Sequence, residues 1–328
     1  MLLIPNNTDM KVKRFVTIVI CFFILILMYS IWDGHISLKS AMTNNKELQY
    51  EFSKLVAFCN KKQQLDHNES KEIANLPTIY AITPTYARPV QEAELTRLAQ
   101  TLCMVPNVHW IIVEDSTDRT EFMIRFLKET PCLLPYTHLV SITPMIYKIT
   151  KGLKWHQRPR GVSQRNEGLK WLRENLDSTK DNGVVFFMDD DNTYSVKLFK
   201  EMNKITKVGV WPVGLVGGLD VEKPIVDKNT GKVTGFNSIW EPQRPFPIDM
   251  AGFAIHLKLI LEKPEAQFSY EAKPGYQETV ILEYFTTMSE LEPLADNCTK
   301  VYVWHTRTEP PKFTKKIKKR EVKASLDI

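Results

Sequence analysis

The sequence predicts an α/β protein built on a mainly parallel, mixed sheet covered by helices, preceded by an N-terminal transmembrane helix. Three observations carry this reading. From residue 77 onward, apolar runs of strand length alternate with amphipathic helical segments, and β-α-β alternation yields a parallel sheet with both faces covered. Polar clusters follow the apolar runs, at the strand ends where open α/β sheets bind ligands. Phe15 to Trp32 is an uncharged run of 18 residues, which at about 1.5 Å per residue just spans a hydrocarbon core.

Lys11, Lys13 and Arg14 precede the apolar run and Asp33 follows it. The positive-inside rule therefore places residues 1–14 in the cytosol and the remainder in a lumen or outside. The run 15–32 is long for a cleaved signal, and bulky Tyr29, Ile31 and Trp32 leave no small-residue cleavage site, so it reads as a retained signal anchor. Residues 33–76 are polar and mixed, a stem in which Leu48, Phe52, Leu55 and Val56 keep helical spacing. Residues 77–311 form one lumenal domain, and 312–328 a basic tail. The net charge of +5 resides largely in that tail, in Lys312, Lys315, Lys316, Lys318, Lys319, Arg320 and Lys323. Without it the body is close to neutral and presents no basic face for nucleic acid.

Of the five cysteines, Cys21 lies in the anchor, while Cys59, Cys103, Cys132 and Cys298 would face an oxidising lumen. Their spacing fixes no pairing, and no C-x-x-C pair marks a zinc site. Cys59, in the stem, is open to an inter-chain bond. Asn68 and Asn297 head N-x-S/T glycosylation sequons.

Within the domain, 78–83 reads as a buried strand. Gln91 to Met104 reads as a helix with Ala93, Leu95, Leu98 and Leu102 inward. Strand 108–113, helix 120–128, strand 138–143, helix 163–175 and strand 183–188 follow. The second half is less regular: a hairpin over 219–237, a Pro-rich bend from Trp240 to Pro247, a helix over 278–288 and a late strand over 301–304. It reads as the acceptor side of one continuous domain.

Three strand ends converge on one crevice: Thr83 to Arg88, Glu114-Asp115, and Asp189-Asp190-Asp191. Adjacent carboxylates repel one another, and hard ions such as Mn²⁺ or Mg²⁺ relieve this through oxygen ligands, often one or two carboxylates plus substrate phosphates. The alternative is an acidic turn in which Asp191 or Asn192 caps the next helix. Arg160 and Arg165 flank a helix start, where free N–H groups favour anions; there the alternative is a solvated helix start capped by Ser163. His305 and Arg307, after the late strand, read on residues alone as a surface pair beside a packed Trp304. Glu278 opens a helix, either as a dipole-stabilised terminal residue or as a general base, and Asp249 is a second acid candidate. Trp240 and Phe246 offer flat faces of the kind sugars stack on.

These blocks resemble a family. TPTYAR (83–88), HWIIVED (109–115), PRGVSQRN (159–166), DDDNTYS (189–195), VWPVGLVGGL (210–219), WEPQRPFPIDMAGFA (240–254), GYQET (275–279) and NCTKVYVWHTRTE (297–309) are similar to the β-1,3-glucuronosyltransferases of glycosyltransferase family 43. The resemblance implies a GT-A nucleotide-sugar transferase fold in a single-pass type II Golgi membrane protein, a homodimer with its catalytic domain in the lumen. It implies inverting transfer of glucuronic acid from UDP-glucuronate to the 3-hydroxyl of a terminal β-galactose, with Mn²⁺. It assigns Pro84, Tyr86, Arg88 and Asp115 to the uridine, Arg160 to the nucleotide and Arg165 to the glucuronate. Asp189 and Asp190 fall to donor sugar and ribose, Asp191 to the metal, and His305 and Arg307 to the diphosphate and donor sugar. Glu222, Trp240, Arg244 and Asp249 fall to the acceptor, and Glu278 becomes the catalytic base. The acceptor is a galactose-terminated glycan, either the proteoglycan linkage trisaccharide or N-acetyllactosamine, with Gln277 resembling the glycoprotein-acting members. Lys315 departs from the family at a position that reaches a partner's acceptor. A glycan-binding or scaffold protein without activity, or a transferase with an altered donor, is the competing class, and intact Asp191, Glu278, Arg165 and His305 weigh against both.

Overall fold

The computed structural model describes residues 7–32, 50–51, 53–54, 73, 75–148 and 159–309. The chain divides into two units, Met1–Glu72 and Ile73–Ile328. In the first, helix α1 covers Asn7–Trp32. Its Phe15, Ile18, Phe22 and Leu25 are exposed. The side chains described there run over 14–29 and stop short of the full apolar run 15–32; among the described residues no helix is long and apolar enough to cross a membrane. Asn68, Cys59, nearly all of the stem, and the basic tail with Lys315 lie outside the described residues.

The second unit is α/β. Strand β1 (Thr78–Thr85), helix α2 (Gln91–Leu102), β2 (Val108–Glu114), α3 (Glu121–Glu129), β3 (Tyr136–Val140), α4 (Val162–Asn175) and β4 (Gly183–Phe187) follow in order. Strands β3, β2, β1 and β4 lie side by side and parallel. Residues Gly183 to Phe187 are buried throughout, as expected of a central parallel strand covered on both faces. Leu95, Leu98 and Leu102 of α2 join Trp110 and Phe186 on one face. Leu169 and Leu172 of α4 join Ile82, Val113 and Phe187 on the other. Ala93, expected in the core, faces solvent. Gly168 brings α4 close to β1: a Cβ there would stand 2.7 Å from Ile82.

The sheet continues through β10 (Phe253–His256), β6 (Val208–Val210) and β11 (Glu292–Pro293), with β10 antiparallel to both neighbours. A second, five-stranded sheet is built from β5 (Thr193–Tyr194), β12 (Val303–Trp304), β7 (Val213–Val216), β8 (Leu219–Val226) and β9 (Val233–Asn237). The expected hairpin is β8–β9, antiparallel. Helices α5 (Val196–Met202), α6 (Leu257–Glu262) and α7 (Gln277–Leu282) complete the unit. The sequence reading placed the third strand two residues late at its start and ran the 278–288 helix too far. After Leu282 the chain turns so that Tyr284 and Phe285 pack against the second core cluster, and their burial outweighs continued helical hydrogen bonding. Cys103 and Cys132 form a disulfide, a pairing the sequence left open; Cys298 is free and buried.

Candidate active site

The parallel strands deliver their polar residues to one edge. Met188 N–H donates to the Ile82 carbonyl at 2.8 Å, so the Asp run emerges beside the end of β1. Asp190 is 6% exposed. It accepts from Thr85 Oγ1 at 2.7 Å and from Arg88 Nη2 at 2.6 Å. Burial works against the Arg88 charge, but Asp190 and Glu94 outweigh it and hold the guanidinium protonated. The guanidinium also lies 4.6 Å over the exposed Tyr86 ring. Asp189 pairs with Arg165 at 2.6 Å.

Asp191 differs from both. No described side chain donates to its carboxylate, whereas its carbonyl accepts from Arg97 at 2.5 Å and from Thr306 at 3.0 Å. Burial, then Asp189, Asp190 and Glu94, push its carboxyl up to about 7 against the opposing pull of His305. A half-buried, uncompensated carboxylate crowded by like charge fits a divalent cation. Among the described residues no group of three or more His, Cys, Asp or Glu is placed to hold a metal. Ser195, not Asp191 or Asn192, caps the following helix, accepting from Lys197 N–H at 3.3 Å.

Helix α4 starts at Gly161, whose φ of +67° is left-handed and whose side supplies no cap. A Cβ there would meet Arg165 Nη1 at 2.7 Å and Pro84 Cγ at 3.2 Å. Ser163 is not the cap; its hydroxyl faces Tyr270 Oη at 2.8 Å. The first N–H groups of α4 thus stay available for an anion. Arg160 is exposed at this mouth. Arg165 is buried, donates to the Arg160 carbonyl at 2.8 Å and sits 5.7 Å over Phe268. Asp115 accepts from the Thr143 N–H at 2.7 Å and hydroxyl at 2.8 Å, which fastens the loop after β2 to the chain after β3. A carboxylate keeps lone pairs beyond two such bonds.

The other wall comes from the second half. Asp249 accepts from Ala251 N–H at 2.9 Å and lies 3.3 Å from His305 Nδ1. Its hydrogen bond, ahead of the opposing effect of burial, raises His305 to about 9. Burial would raise Asp249, but His305, Ala251 N–H and Arg165 together hold it below its ordinary value. Arg307 is exposed beyond His305. Glu278 stands in the first turn of α7, its side chain 15% exposed. Burial first, then Asp249, push its carboxyl up to about 7, against Arg244 and Arg165. Arg244 is buried, donates to the Gly275 carbonyl and lies 3.9 Å from Glu278. Gly275, at φ +80°, gives the half-exposed Trp240 indole room to lie against the backbone. Glu222 on β8 is buried, bonded to Ser238 at 2.7 Å and raised by that burial.

Electrostatic coupling joins the two groups: Glu278 feels Asp249 and Arg165, and His305 feels Asp189 and Asp191. Phe246, offered from sequence as a stacking face, is instead 3% exposed and packs in the core with Ile248 and Met250. Asn297 is exposed in a left-handed turn at φ +52°. Gln277 is not a site residue. It is buried and donates to the Ser269 carbonyl at 2.5 Å. Thr85, Glu94, Arg97 and Tyr194, which donates to the Asp189 carbonyl at 2.9 Å, were missed. Gln91, Glu94 and Arg97 recur every third residue in α2, and that polar stripe was the available signal.

The family model described as Glycosyltransferase family 43 matches residues 98–309. Galactosylgalactosylxylosylprotein 3-beta-glucuronosyltransferase I of Drosophila melanogaster is 54% identical over 242 residues, 73% of this chain and 78% of that protein. Galactosylgalactosylxylosylprotein 3-beta-glucuronosyltransferase 1 of Homo sapiens is 50% identical over 255 residues, 77% of this chain and 75% of that protein. A solved structure of S. aureus TarS 1-349 with UDP-GlcNAc matches at TM-score 0.43 and 17% identity, covering 71% of this chain and 60% of that chain. The matched region takes in Asp191, Glu278 and His305, and the chain belongs to glycosyltransferase family 43.

Proposed function

We propose that this protein is an inverting β-1,3-glucuronosyltransferase of GT-A fold. It moves glucuronic acid from UDP-glucuronate to the 3-hydroxyl of a terminal β-galactose. The observation that carries the reading is Glu278: a partly buried carboxylate raised to about 7, in the same charge network as the Asp run. A general base works best with its pKa near the working pH. Glu278 takes the proton of the acceptor hydroxyl as that oxygen attacks the anomeric carbon and the diphosphate leaves. His305, kept cationic by Asp249, places positive charge on the donor side, and Arg307 extends it. Asp191 would hold the Mn²⁺, which supplies charge neutralisation at the departing diphosphate. Arg165 selects a carboxylate-bearing donor by a charge-assisted pair, its present partner Asp189 having an exposed edge. Tyr86, Arg88, Pro84 and Asp115 frame the uridine. Trp240, Arg244, Glu222 and Asp249 frame the acceptor.

The acceptor proposed is the galactosyl-galactosyl-xylosyl linkage named in the relatives. The anchor is proposed on α1, whose apolar residues are exposed within its own unit; a helix apolar all round is at home in a core or in lipid. Golgi residence, a lumenal catalytic domain and a homodimer complete the reading. The test is an acceptor panel with UDP-glucuronate and Mn²⁺, comparing galactose-β-1,3-galactose with N-acetyllactosamine. Transfer to the first is expected, and transfer to neither defeats the enzyme assignment.

A further inference from the structure

Three polar side chains of α2 turn toward the active-site edge instead of solvent. Gln91 Nε2 donates to Thr85 Oγ1 at 3.0 Å, and Thr85 in turn holds Asp190. Glu94 accepts from Arg88 Nε at 3.0 Å through one oxygen and from the Thr308 backbone N–H at 3.0 Å through the other. Arg97 donates to the Asp191 carbonyl at 2.5 Å. Residues three apart adjoin on a helix surface, so this one helix touches three of the segments that bear donor-side residues. These are the loop after β1 with Tyr86 and Arg88, the Asp run, and the C-terminal segment with His305 and Arg307. Glu94 is 2% exposed. A carboxylate buried that deeply is costly unless paired, and its bond to the Thr308 N–H spans 214 residues of sequence.

We propose that α2 is the positioning element of the donor site, with Glu94 the residue that sets Arg88 against the His305–Arg307 segment. The inference rests on the donor-site reading above. Glu94 touches no reacting atom and acts through Arg88 and Thr308. Neutralising it leaves Arg88 with Asp190 as its one carboxylate partner among the described residues and weakens the only hold on the Thr308 N–H among them. The apolar face of α2, with Leu95, Leu98 and Leu102, is untouched by such a change.

The experiment uses the full chain in detergent, as wild type, Glu94→Gln and Glu94→Asp. It measures equilibrium binding of UDP with Mn²⁺, backbone hydrogen exchange without ligand, and the kinetics of UDP-glucuronate. Glu94→Gln is expected to weaken UDP by about tenfold or more. It should also speed exchange at His305 to Thr308 selectively and raise KM for UDP-glucuronate more than it lowers kcat. Glu94→Asp, which keeps the charge and shortens the reach, should recover part of each effect, and it stands in if the Gln variant fails to fold. Unchanged UDP affinity and unchanged exchange overturn the proposal, as does exchange that quickens equally across the domain. A wild-type chain that binds no UDP defeats the donor-site reading itself, an outcome distinct from a loss confined to the Glu94 variants.

Discussion

The donor wall and the acceptor wall of the crevice both hold carboxylates away from water, but they compensate them differently. On the donor wall, Asp190 is answered by Arg88 and Thr85, and Asp189 by Arg165, all at hydrogen-bonding distance. On the acceptor wall the nearest cation to Glu278 is Arg244, at 3.9 Å, beyond hydrogen-bond reach. Asp249 repels Glu278 while spending its own charge on His305. A paired carboxylate is held as a fixed strut, although burial raises even Asp190 against the opposing pull of Arg88 and Thr85. An uncompensated one gains proton affinity and becomes able to take a proton at neutral pH. Asp191 is the exception beside them, crowded by like charge, and the proposed cation would sit there.

The contrast can be broken by experiment. The largest effect is expected from Glu278→Gln, which removes the base while keeping the shape. Turnover should drop by about 10² to 10⁴-fold with UDP affinity unchanged in a binding titration; a parallel loss of UDP binding would place Glu278 on the wrong wall. Asp191→Asn should lower turnover by about a hundredfold or more, and the loss should appear as weakened Mn²⁺ dependence in a metal titration of a chelator-stripped protein. Arg165→Ala should reduce the preference for UDP-glucuronate over UDP-glucose by about tenfold, and an unchanged donor ratio would remove Arg165 from that role.

The smallest effect is on pH dependence. Glu278 is raised to about 7 and is active only when deprotonated, so kcat/KM should climb with pH through about 7. His305 is raised to about 9 and acts as a cation, so activity should fall as pH passes about 9. Arg244→Met removes a cation that lowers Glu278, and should move the acid limb further up. A limb that stays in place in that variant would separate Glu278 from the profile.

The parallel half of the fold was legible because its signals are local. Period and length of apolar runs gave β1, α2, β2, α4 and β4 close to their observed limits, since a strand buried on both faces reads as a continuous apolar run. The acceptor half was less legible. β6 and β10 are short segments, three and four residues, paired to distant parts of the chain, and such pairing leaves little trace in any one window. The 278–288 helix shows the same limit, cut short where Tyr284 and Phe285 found burial.

The sequence by itself named the candidate catalytic residues, the strand ends that carry several of them and, through resemblance, the roles proposed for Glu278, Asp191 and His305, because charged residues at element ends are visible without coordinates. Only the tertiary structure decided which carboxylates are compensated. Arg88 meets Asp190 across 102 residues, and Glu94 meets Thr308 across 214, distances over which no spacing rule operates. The same holds for the Cys103–Cys132 pairing and for the inward turn of Gln277. Proton affinity depends on burial and on neighbours in space, and those are properties of the folded chain.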